Sequence, residues 1–475
     1  MCYNSGINKK HKEIFSVIYE NNTVKDLKIA YVGGGSRGWA WNLMKDLAGA
    51  EDFSGEVALY DIDFEAAKHN EQIGNERVPA KNFKYVAYKT IGEALTGAAF
   101  VVVSILPGTF DEMESDVHAP EKYGVWQSVG DTAGPGGLIR AMRTIPMFQE
   151  IALAVKEYCP NAWVINYTNP MAICVKALYK AFPEIKAFGC CHEVFGTQKL
   201  LSAALKEIKG IDGATKDDIR VEVTGVNHFT WLTKAQYKNI DLFPVYAEFA
   251  AKHYNEGFSE SGTGNWLNDF FACGHKVKFD LFQKYGVIAA AGDRHLAEFM
   301  PPHAYLKNPE QVKSWLFGLT PVSWRKQALL DRLQKSEDYR SGKEEFTLDI
   351  TGEEGVRQMR AILGLCPFVT NVNLPNMGQI PNLPLGSIVE TNAVFESGNV
   401  TPVFAGNVPE SIYPLIVTAN KENDEIVDAC FERSLDKCYK AFAANHALVN
   451  LSDAEKKALF DEMVANTKTY LGEYK

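Results

Sequence analysis

Short apolar runs rich in β-branched and aromatic residues alternate with helical patterns over the first 200 residues of the chain. The predicted strands are Lys28–Val32, Val57–Tyr60, Phe100–Ile105, Trp163–Tyr167 and Ala187–Cys190. Helical patterns begin at Trp39 and at Asp63, each directly after a strand. Strands that alternate with helices predict βαβ units and a parallel sheet. We therefore expect an α/β domain with a doubly wound, Rossmann-like sheet in this part of the chain.

The pattern changes after about residue 210. Two predicted strands, Arg220–Val226 and Thr230–Thr233, precede predicted helices at Leu242–Asn255, Asn265–Tyr285 and Ser323–Ser336. Residues 371–409 are expected to be rich in loops, and they carry five of the twenty prolines, which disfavours a long helix there. Two C-terminal helices are predicted, at Ile412–Asn445 and Asp453–Leu471. We expect an N-terminal extension (1–27), a Rossmann-like domain (28–210) and a larger C-terminal α+β domain (211–475).

Composition and charge exclude several classes of protein. With 46% hydrophobic and 23% charged residues, a chain of 475 residues buries large cores. The 49 basic and 59 acidic residues give a net charge of −10, and no basic block stands out, which argues against a nucleic-acid partner. The nearly apolar run Ala98–Leu106 is far shorter than the roughly 20 residues that a membrane helix needs. We expect a globular protein without a membrane segment.

Cysteine usage and the N-terminus suggest a compartment. The nine cysteines are an odd number, are widely spread and form no Cys-x-x-Cys pair, so a disulfide framework is not expected. The apolar patch Ile14–Tyr19 is too short for the core of a secretory signal. Both observations favour a cytoplasmic protein with reduced thiols.

A glycine cluster directly follows the first predicted strand. Gly33, Gly34, Gly35 and Ser36 stand between that strand and the helix at Trp39, where a tight turn brings backbone N–H groups close to a pyrophosphate. The second strand ends in Asp61, at the spacing of an acid that binds the ribose 2′-hydroxyl of NAD and repels the phosphate of NADP. Strand, glycines, helix and acid together predict a dinucleotide site; the alternative is an ordinary glycine turn beside a surface aspartate.

Four further segments carry polar residues that a plain fold would not need. They are Gly130–Arg143, Asn166–Pro170, Gly189–Val194 and Gly225–Trp231. Ligands bind at the carboxyl ends of strands in open α/β sheets, where two of these segments stand. A Cys and a His 37 residues apart, Cys191 and His228, are not a metal motif by themselves and are more often core residues. As metal ligands they would leave coordination positions open for a substrate.

Seven motifs then occur in the order that is typical of glycoside hydrolase family 4, and they span nearly the whole chain. They are the glycine turn, Leu-Tyr-Asp-Ile-Asp (59–63), Asp-Thr-Ala-Gly-Pro-Gly-Gly (131–137), Asn-Tyr-Thr-Asn-Pro (166–170), Cys-His-Glu-Val (191–194), Gly-Val-Asn-His (225–228) and Gly-Gln-Ile-Pro-Asn-Leu-Pro (378–384). The sequence resembles this family, whose NAD-dependent members are an exception to two-carboxylate glycoside hydrolysis.

The resemblance implies a hydrolase that works by oxidation and elimination. Sugar C3 is oxidised by NAD⁺, the C2 proton is removed, the glycosidic bond eliminates, water adds at C1 and C3 is reduced again, with a divalent metal, usually Mn²⁺, as second cofactor. Matched to the family's motifs, Gly33, Gly35, Ser36 and Asp61 bind NAD, Cys191 and His228 bind the metal, and Asn169 binds a substrate hydroxyl. Homodimers or homotetramers are usual in the family.

The acid and the base are not fixed by the resemblance. Members that act on phosphorylated sugars carry an aspartate after the metal cysteine, whereas His192 stands here. Asp293, in the segment Ala291–Pro301, resembles the base of the α-glycosidase branch, and Asp131 is a further candidate for acid, base or structural role. Glu298, in the same segment, has two equally good interpretations: a residue of the site, or a charge on the surface of a helix. The predicted catalytic residues are therefore Asp293, Asp131 and His192.

The tetrapeptide Cys-His-Glu-Val, 191–194, resembles the α-galacturonidase subgroup of the family. A uronate carboxylate calls for a guanidinium partner, for which Arg140, Arg143 and Arg294 are candidates, while Glu193 is an odd neighbour unless it pairs with an arginine. The remaining alternatives are an α-glucosidase, α-galactosidase or α-glucuronidase of the same family, or a lactate/malate-type dehydrogenase that shares the N-terminal fold. The expected partner is a uronate-containing oligosaccharide.

Overall fold

The computed structural model describes residues 17–20, 22–259, 273–349 and 351–475. The strands are β1 (Ile18–Glu20), β2 (Thr23–Val32), β3 (Phe53–Tyr60), β4 (Phe83–Tyr88), β5 (Phe100–Val103), β6 (Trp163–Asn166), β7 (Lys186–Gly189), β8 (Ile219–Val226), β9 (Phe229–Tyr237), β10 (Ile240–Asp241), β11 (Ile288–Ala289), β12 (Phe368–Pro375), β13 (Ile388–Glu396) and β14 (Asn399–Pro402). The helices of the first 260 residues are α1 (Trp39–Ala48), α2 (Phe64–Glu76), α3 (Ile91–Leu95), α4 (Phe110–His118), α5 (Gly134–Tyr158), α6 (Met171–Ala181), α7 (Glu193–Lys209) and α8 (Leu242–His253). The later helices are α9 (Lys276–Tyr285), α10 (Asp293–Glu298), α11 (Pro302–Tyr305), α12 (Pro309–Ser314), α13 (Val322–Ser341), α14 (Gly355–Ile362), α15 (Tyr413–Phe431), α16 (Leu435–Ala443) and α17 (Asp453–Thr467).

The larger sheet has a parallel centre with the strand order of a dinucleotide-binding fold. Strands β4, β3, β2, β5, β6 and β7 lie side by side in that order, and all five pairings are parallel. The order reverses between β2 and β5, which is where open α/β sheets form their ligand crevice. The predicted doubly wound, Rossmann-like sheet is confirmed.

Helices cover both faces of this sheet because β2 buries alternate side chains on opposite sides. Ile29 and Tyr31 belong to a core that includes α1 and α14, whereas Ala30 and Val32 belong to a second core that includes α5, α6 and α15–α17. A strand that is buried on both faces reads as a continuous apolar run, as the sequence of β2 does.

The C-terminal half of the chain returns to the same sheet. Strand β12 pairs antiparallel with β7 through Asn373 and Gly189, and β13 and β14 continue the sheet outward. The expectation that residues 371–409 are mostly loop is therefore wrong for β12, β13 and β14. The five prolines of this stretch stand at strand ends (Pro375, Pro402) or outside the strands, where they do not interrupt the ladder.

A second, antiparallel sheet contains β8–β11 and supplies one wall of the site. Strands β8 and β9 form a hairpin in which Val226 pairs with Phe229, so Asn227 and His228 are its two turn residues. His228 has a φ of 63°, a backbone region that residues other than glycine rarely enter. This turn directs the imidazole of His228 toward the crevice of the larger sheet.

Several element boundaries differ from the prediction. Strand β2 begins at Thr23 and pairs with β1, so the end of the expected extension 1–27 is part of the sheet, while residues 1–16 lie outside the described part. The expected helix Ile412–Asn445 is two helices, because Arg433 has a φ of 53° and Ser434 caps α16. Of the expected helix Asn265–Tyr285, only residues from 273 onward are described, and these form α9 from Lys276. No helix among the described residues is long and apolar enough to cross a membrane.

Candidate active site

A cavity of about 1280 Å³ opens at the carboxyl ends of β2, β5, β6 and β7. Every residue nominated from the sequence lines it, from the glycine turn to the histidine of the β8–β9 hairpin. These residues are Gly33, Gly35, Ser36, Asp61, Asp131, Arg140, Arg143, Asn169, Cys191, His192, Glu193, His228, Asp293 and Arg294. Segments far apart in the chain therefore meet in one place.

The glycine turn is packed too tightly for side chains. A Cβ added to Gly33, whose φ is 94°, would stand 2.1 Å from the Ser104 carbonyl oxygen, and one added to Gly35 would stand 2.9 Å from an Asp61 carboxylate oxygen. Asp61 accepts the Gly35 N–H at 2.9 Å and the Asp63 N–H at 3.0 Å. Asp61 therefore stabilises the turn, and it also lines the cavity.

Asn70, on α2, is a residue of this turn that the sequence did not reveal. Its buried side-chain amide donates to the carbonyl oxygens of Gly34 and Ser36 at 2.8 and 3.0 Å. The indole of Trp41 donates in turn to the Asn70 carbonyl at 2.9 Å. These contacts fix the glycine turn, whose own N–H groups donate within the fold to Tyr60, Asp61 and Gly33.

Asp131, Thr132 and His228 form a hydrogen-bonded chain. The Thr132 hydroxyl lies 2.7 Å from Asp131 Oδ1 and 2.9 Å from His228 Nδ1. Burial raises the pKa of Asp131, but Arg140 and the rings of His295 and His228 outweigh it and hold that pKa well below its usual range, so the carboxylate only accepts. Thr132 must donate to Asp131, and His228 Nδ1–H must donate to Thr132. His228 Nε2 is left with a free lone pair.

Burial lowers the pKa of His228 to about 3, with further lowering by His295. The imidazole is therefore neutral at physiological pH, which is the form that binds metal ions. The tautomer and the protonation state of His228 both suit a metal ligand.

His295 is a site residue that no spacing in the sequence indicated. Its ring stacks on that of His228 with centroids 3.7 Å apart, and potential ligand atoms of Asp131, His228 and His295 lie within 4.8 Å of one another. His295 Nδ1 is buried and has no hydrogen-bond partner among the described residues. Its position two residues after Asp293 was the only hint available.

Cys191 lines the same cavity as His228 and His295. The side chain of Asn227, the neighbour of His228, donates to Glu390 at 3.2 Å. Burial raises the pKa of the Cys191 thiol well above its ordinary value, and Glu390 raises it further, whereas Asn227 slightly lowers it. A divalent cation supplies the positive charge that a thiolate needs in such surroundings.

Glu193 joins the first turns of α7 and α10. Its carboxylate accepts the Gly292 N–H at 2.5 Å and lies 3.8 Å from His295. Burial raises its pKa, but the three neighbouring histidines and the Gly292 N–H outweigh burial and lower it to about 2. Glu193 is an anionic group of the cavity wall whose pKa is set mainly by three histidines.

Asp293 is fully buried at the first turn of α10. Its two oxygens accept the Val277 and Lys278 N–H groups of α9 at 3.0 and 3.3 Å. Burial raises its pKa to about 7, and the neighbouring Cys273 contributes. A pKa near 7 suits proton transfer at neutral pH. The two hydrogen bonds also show that Asp293 anchors the start of α9.

Three predicted arginines differ in what their guanidinium groups contact. Arg143 is fully buried and pairs with Asp116, and its Nε donates to the Pro107 carbonyl at 2.9 Å. Arg294 Nη2 donates to the Ser128 carbonyl at 3.1 Å and to the Thr320 hydroxyl. Arg140 Nε donates to the Asn169 carbonyl at 3.0 Å. Arg143 and Arg294 therefore brace the loops around the cavity.

Asn169 and His192 both line the cavity but differ in burial. Asn169 Oδ1 is buried without a hydrogen-bond partner among the described residues, as is Arg140 Nη1. His192 is half-exposed, lies 3.2 Å from Glu353 and stacks against Trp39 of α1, and Glu353 raises its pKa. The structure places His192 near the glycine turn and outside the Asp131–His228–His295 cluster.

Glu298 is buried, so its interpretation as a helix surface charge is wrong. Its Oε1 accepts the N–H groups of Val129 and Gly130 at 2.7 and 2.8 Å, directly before Asp131. Burial raises its pKa to about 7. Glu298 fixes the loop that carries Asp131 and Thr132.

Comparison with known proteins gives consistent results along the chain. Residues 28–207 match the sequence profile of the family 4 glycosyl hydrolases, and residues 223–448 match that of the family's C-terminal domain. An α-galacturonidase of Thermoanaerobacterium saccharolyticum is 56% identical over 96% of this chain and 99% of its own.

Solved structures show the same likeness. The crystal structure of lplD from Bacillus subtilis is 47% identical, with a TM-score of 0.89 over 92% of this chain and 100% of its own. A 6-phospho-α-glucosidase from gut microorganisms, crystallised with NAD and Mn²⁺, is 22% identical with a TM-score of 0.76, over 95% of this chain and 100% of its own. At that identity the second likeness concerns the fold.

Proposed function

The chain belongs to glycoside hydrolase family 4, and we propose that it is an α-galacturonidase that uses NAD⁺ and Mn²⁺. The observation that carries the proposal is that a dinucleotide turn and a cluster of metal-ligand side chains face the same cavity. The full-length relatives named α-galacturonidase support the choice of substrate.

The residues of the turn fit NAD. The N–H groups at the start of α1 have no side-chain cap, so they are available to a pyrophosphate. Asp61 keeps lone pairs free on both oxygens for a ribose hydroxyl, and its negative charge disfavours the phosphate of NADP. Gly33, Gly35 and Ser36 remain the proposed pyrophosphate contacts.

The residues of the opposite wall fit a divalent metal. We assign Cys191 Sγ and His228 Nε2 as ligands: His228 belongs to the cluster with Asp131 and His295, and Cys191 lines the same cavity. Imidazole, thiolate and carboxylate donors suit a first-row transition ion such as Mn²⁺. The unpaired His295 Nδ1 supports a further polar ligand at this place.

The chain's own residues then orient the sugar and move one proton. Bound NAD⁺ and Mn²⁺ supply, respectively, reversible hydride acceptance at sugar C3 and polarisation that makes the C2 proton acidic. Asn169 Oδ1, buried and unpaired, accepts a sugar hydroxyl. We assign removal of the C2 proton to Asp131 on position, because it lies beside His228 and His295 and is partly exposed to the cavity, whereas Asp293 is fully buried. Asp293 and His192 remain the alternative proton carriers.

The proposed substrate is an α-galacturonide of an oligosaccharide. Arginines that line the cavity, with no lysine beside them among the described residues, suit a ligand that carries a carboxylate. The eight described cysteines are free thiols, which supports a reducing, cytoplasmic location. The homodimer or homotetramer and the two-domain division near residue 210 stay predictions.

A substrate screen with cofactors omitted in turn tests the function. We expect hydrolysis of p-nitrophenyl α-galacturonide and of digalacturonate only when NAD⁺ and Mn²⁺ are both present. NADH should not accumulate, because the hydride returns to the sugar in each turnover. Growth of NADH absorbance in proportion to product would instead indicate a dehydrogenase of the lactate/malate type.

A further inference from the structure

Six arginines line the cavity, and they differ in whether they are hydrogen-bonded within the fold. They are Arg37, Arg140, Arg143, Arg294, Arg325 and Arg332. Arg143 pairs with Asp116, Arg294 donates to Ser128 and Thr320, and Arg140 Nε donates to the Asn169 carbonyl. Arg37 belongs to the dinucleotide turn. Arg143, Arg294 and Arg140 are therefore each anchored within the fold, and Arg37 lies at the proposed cofactor site.

Arg325 and Arg332, both on α13, make no hydrogen bond or ion pair with any described residue. Arg325 lies on the first turn of the helix and is partly buried, whereas Arg332 is exposed. Leu329 and Arg332 line the cavity too, and the spacing of four and seven residues puts all three on one face of the helix. Arg325 therefore faces the cavity with a guanidinium group that is not hydrogen-bonded to any described residue.

Arg325 also lies close enough to the reaction centre to influence it. The charge of Arg325 contributes to lowering the pKa of Asp131, and it lowers the pKa of Arg294 after the larger effect of burial. A sugar that places C2 and C3 at Asp131 and His228 extends its C5 substituent by only a few ångströms. Arg325 lines the same cavity as Asp131 and His228, so such a substituent can be directed at α13.

We propose that Arg325 is the residue that binds the C6 carboxylate of the substrate and thereby sets the preference for uronides. This inference rests on the proposed function and names a residue that the sequence did not suggest. The guanidinium forms two parallel N–H···O bonds with the carboxylate, a geometry that a CH₂OH group cannot reproduce.

The next residue along the helix supplies a matched control. Lys326 points away from the cavity and pairs with Asp111 and Glu114 of α4. Arg325→Met and Lys326→Met each remove one positive charge from the same turn. The test measures kcat/KM of these variants and of the wild type on p-nitrophenyl α-galacturonide and α-galactoside, which differ only at C6.

We expect Arg325→Met to reduce the galacturonide-to-galactoside ratio by about 10- to 150-fold, as for loss of a charge-assisted bidentate pair. Lys326→Met should keep the wild-type ratio. Arg325→Lys should fall between them, because an ammonium keeps the charge and loses the bidentate geometry. Binding of free galacturonate to the NAD⁺-loaded protein, measured by calorimetry, should weaken in the same order.

Two outcomes separate the possible errors. A wild-type enzyme that prefers galactoside would overturn the proposed function. A wild-type enzyme that prefers galacturonide while Arg325→Met keeps that preference, or while Arg332→Met alone abolishes it, would overturn the assignment of Arg325. If Arg325→Met does not fold, as judged by circular dichroism, the Arg325→Lys ratio decides: an unchanged ratio counts against the assignment.

Discussion

Replacing Thr132 by valine should weaken Mn²⁺ binding, although Thr132 is not among the proposed ligands. Valine keeps the shape of threonine and removes the hydroxyl that lies between Asp131 and His228. Without it, His228 Nδ1 has lost its acceptor, and the ring is no longer held in the tautomer that leaves Nε2 free. The variant therefore tests whether the hydrogen-bonded chain prepares His228 for the metal.

The size of the effect follows from the contacts that are lost. Thr132 donates to an ionised carboxylate at 2.7 Å and accepts from the imidazole at 2.9 Å, so both bonds are short. Loss of such an outer-shell partner of a ligand histidine costs about 10- to 100-fold in metal affinity. That corresponds to about 1.4–2.7 kcal/mol of binding free energy.

The assay is a titration of the metal-free protein with Mn²⁺, in which electron paramagnetic resonance reports the free ion. Thr132→Ser keeps the hydroxyl and should bind within a few-fold of the wild type. Cys273→Ser is the second control, because Cys273, His275 and Asp293 form another group of possible donors within 4.8 Å. The Lys278 ammonium lies 3.2 Å from His275, which disfavours a cation there.

An unchanged Mn²⁺ affinity in Thr132→Val would refute the argument from the tautomer. Equal losses in Thr132→Val and Thr132→Ser would show that packing, and not the hydroxyl, is responsible. If Cys273→Ser alone lost affinity, the metal would belong at the second group of donors.

Three further predictions concern the site. Cys191→Ser and His228→Ala should lose nearly all activity and still bind NAD⁺, as measured by fluorescence titration; full activity in either would remove the metal assignment. In D₂O the product sugar should gain deuterium at C2, and Asp131→Asn should slow this exchange and hydrolysis together by about 10²- to 10⁴-fold, whereas the same result in Asp293→Asn alone would move the base to Asp293. Burial raises the pKa of Glu298 from 4.5 to about 7, so the folded state binds that proton more tightly, and this stabilisation is present below pH 4.5 and is lost as the pH rises through 7. Since Glu298→Gln cannot ionise, its Tm relative to the wild type should rise between pH 5 and pH 8, and a constant difference would contradict the buried ionisation.

Local sequence patterns correctly predicted the elements whose burial is regular along their whole length. The glycine turn, β2 and Asp61 could be recognised because a parallel strand buried on both faces and a turn without room for Cβ atoms leave a clear trace in the sequence. The sequence also predicted that the polar segments after β6 and β7 lie close together, because the carboxyl ends of neighbouring parallel strands lie at one edge of a sheet.

Contacts between distant segments left no such trace. His295, Thr132 and Arg325 act through neighbours that lie up to about two hundred residues away in the chain, and nothing in their own spacing indicates those neighbours. Strands β12–β14 were missed because their prolines stand at the ends, so the stretch reads as loop when its partner β7 is not known. Burial of Glu298 likewise depends on the loop that it holds.

The pairing of β12 with β7 has a consequence for how the protein is made. Strand β7 is complete at residue 189, but the neighbour that covers its edge begins at residue 368, so the edge is open while some 180 further residues are synthesised. At about 5–20 residues per second, a ribosome needs roughly ten to forty seconds for that length. During that time the nascent parallel sheet exposes unpaired backbone groups and an incomplete core, which is the state that chaperones bind and that aggregates. Expression of residues 28–210 alone would make that transient state permanent.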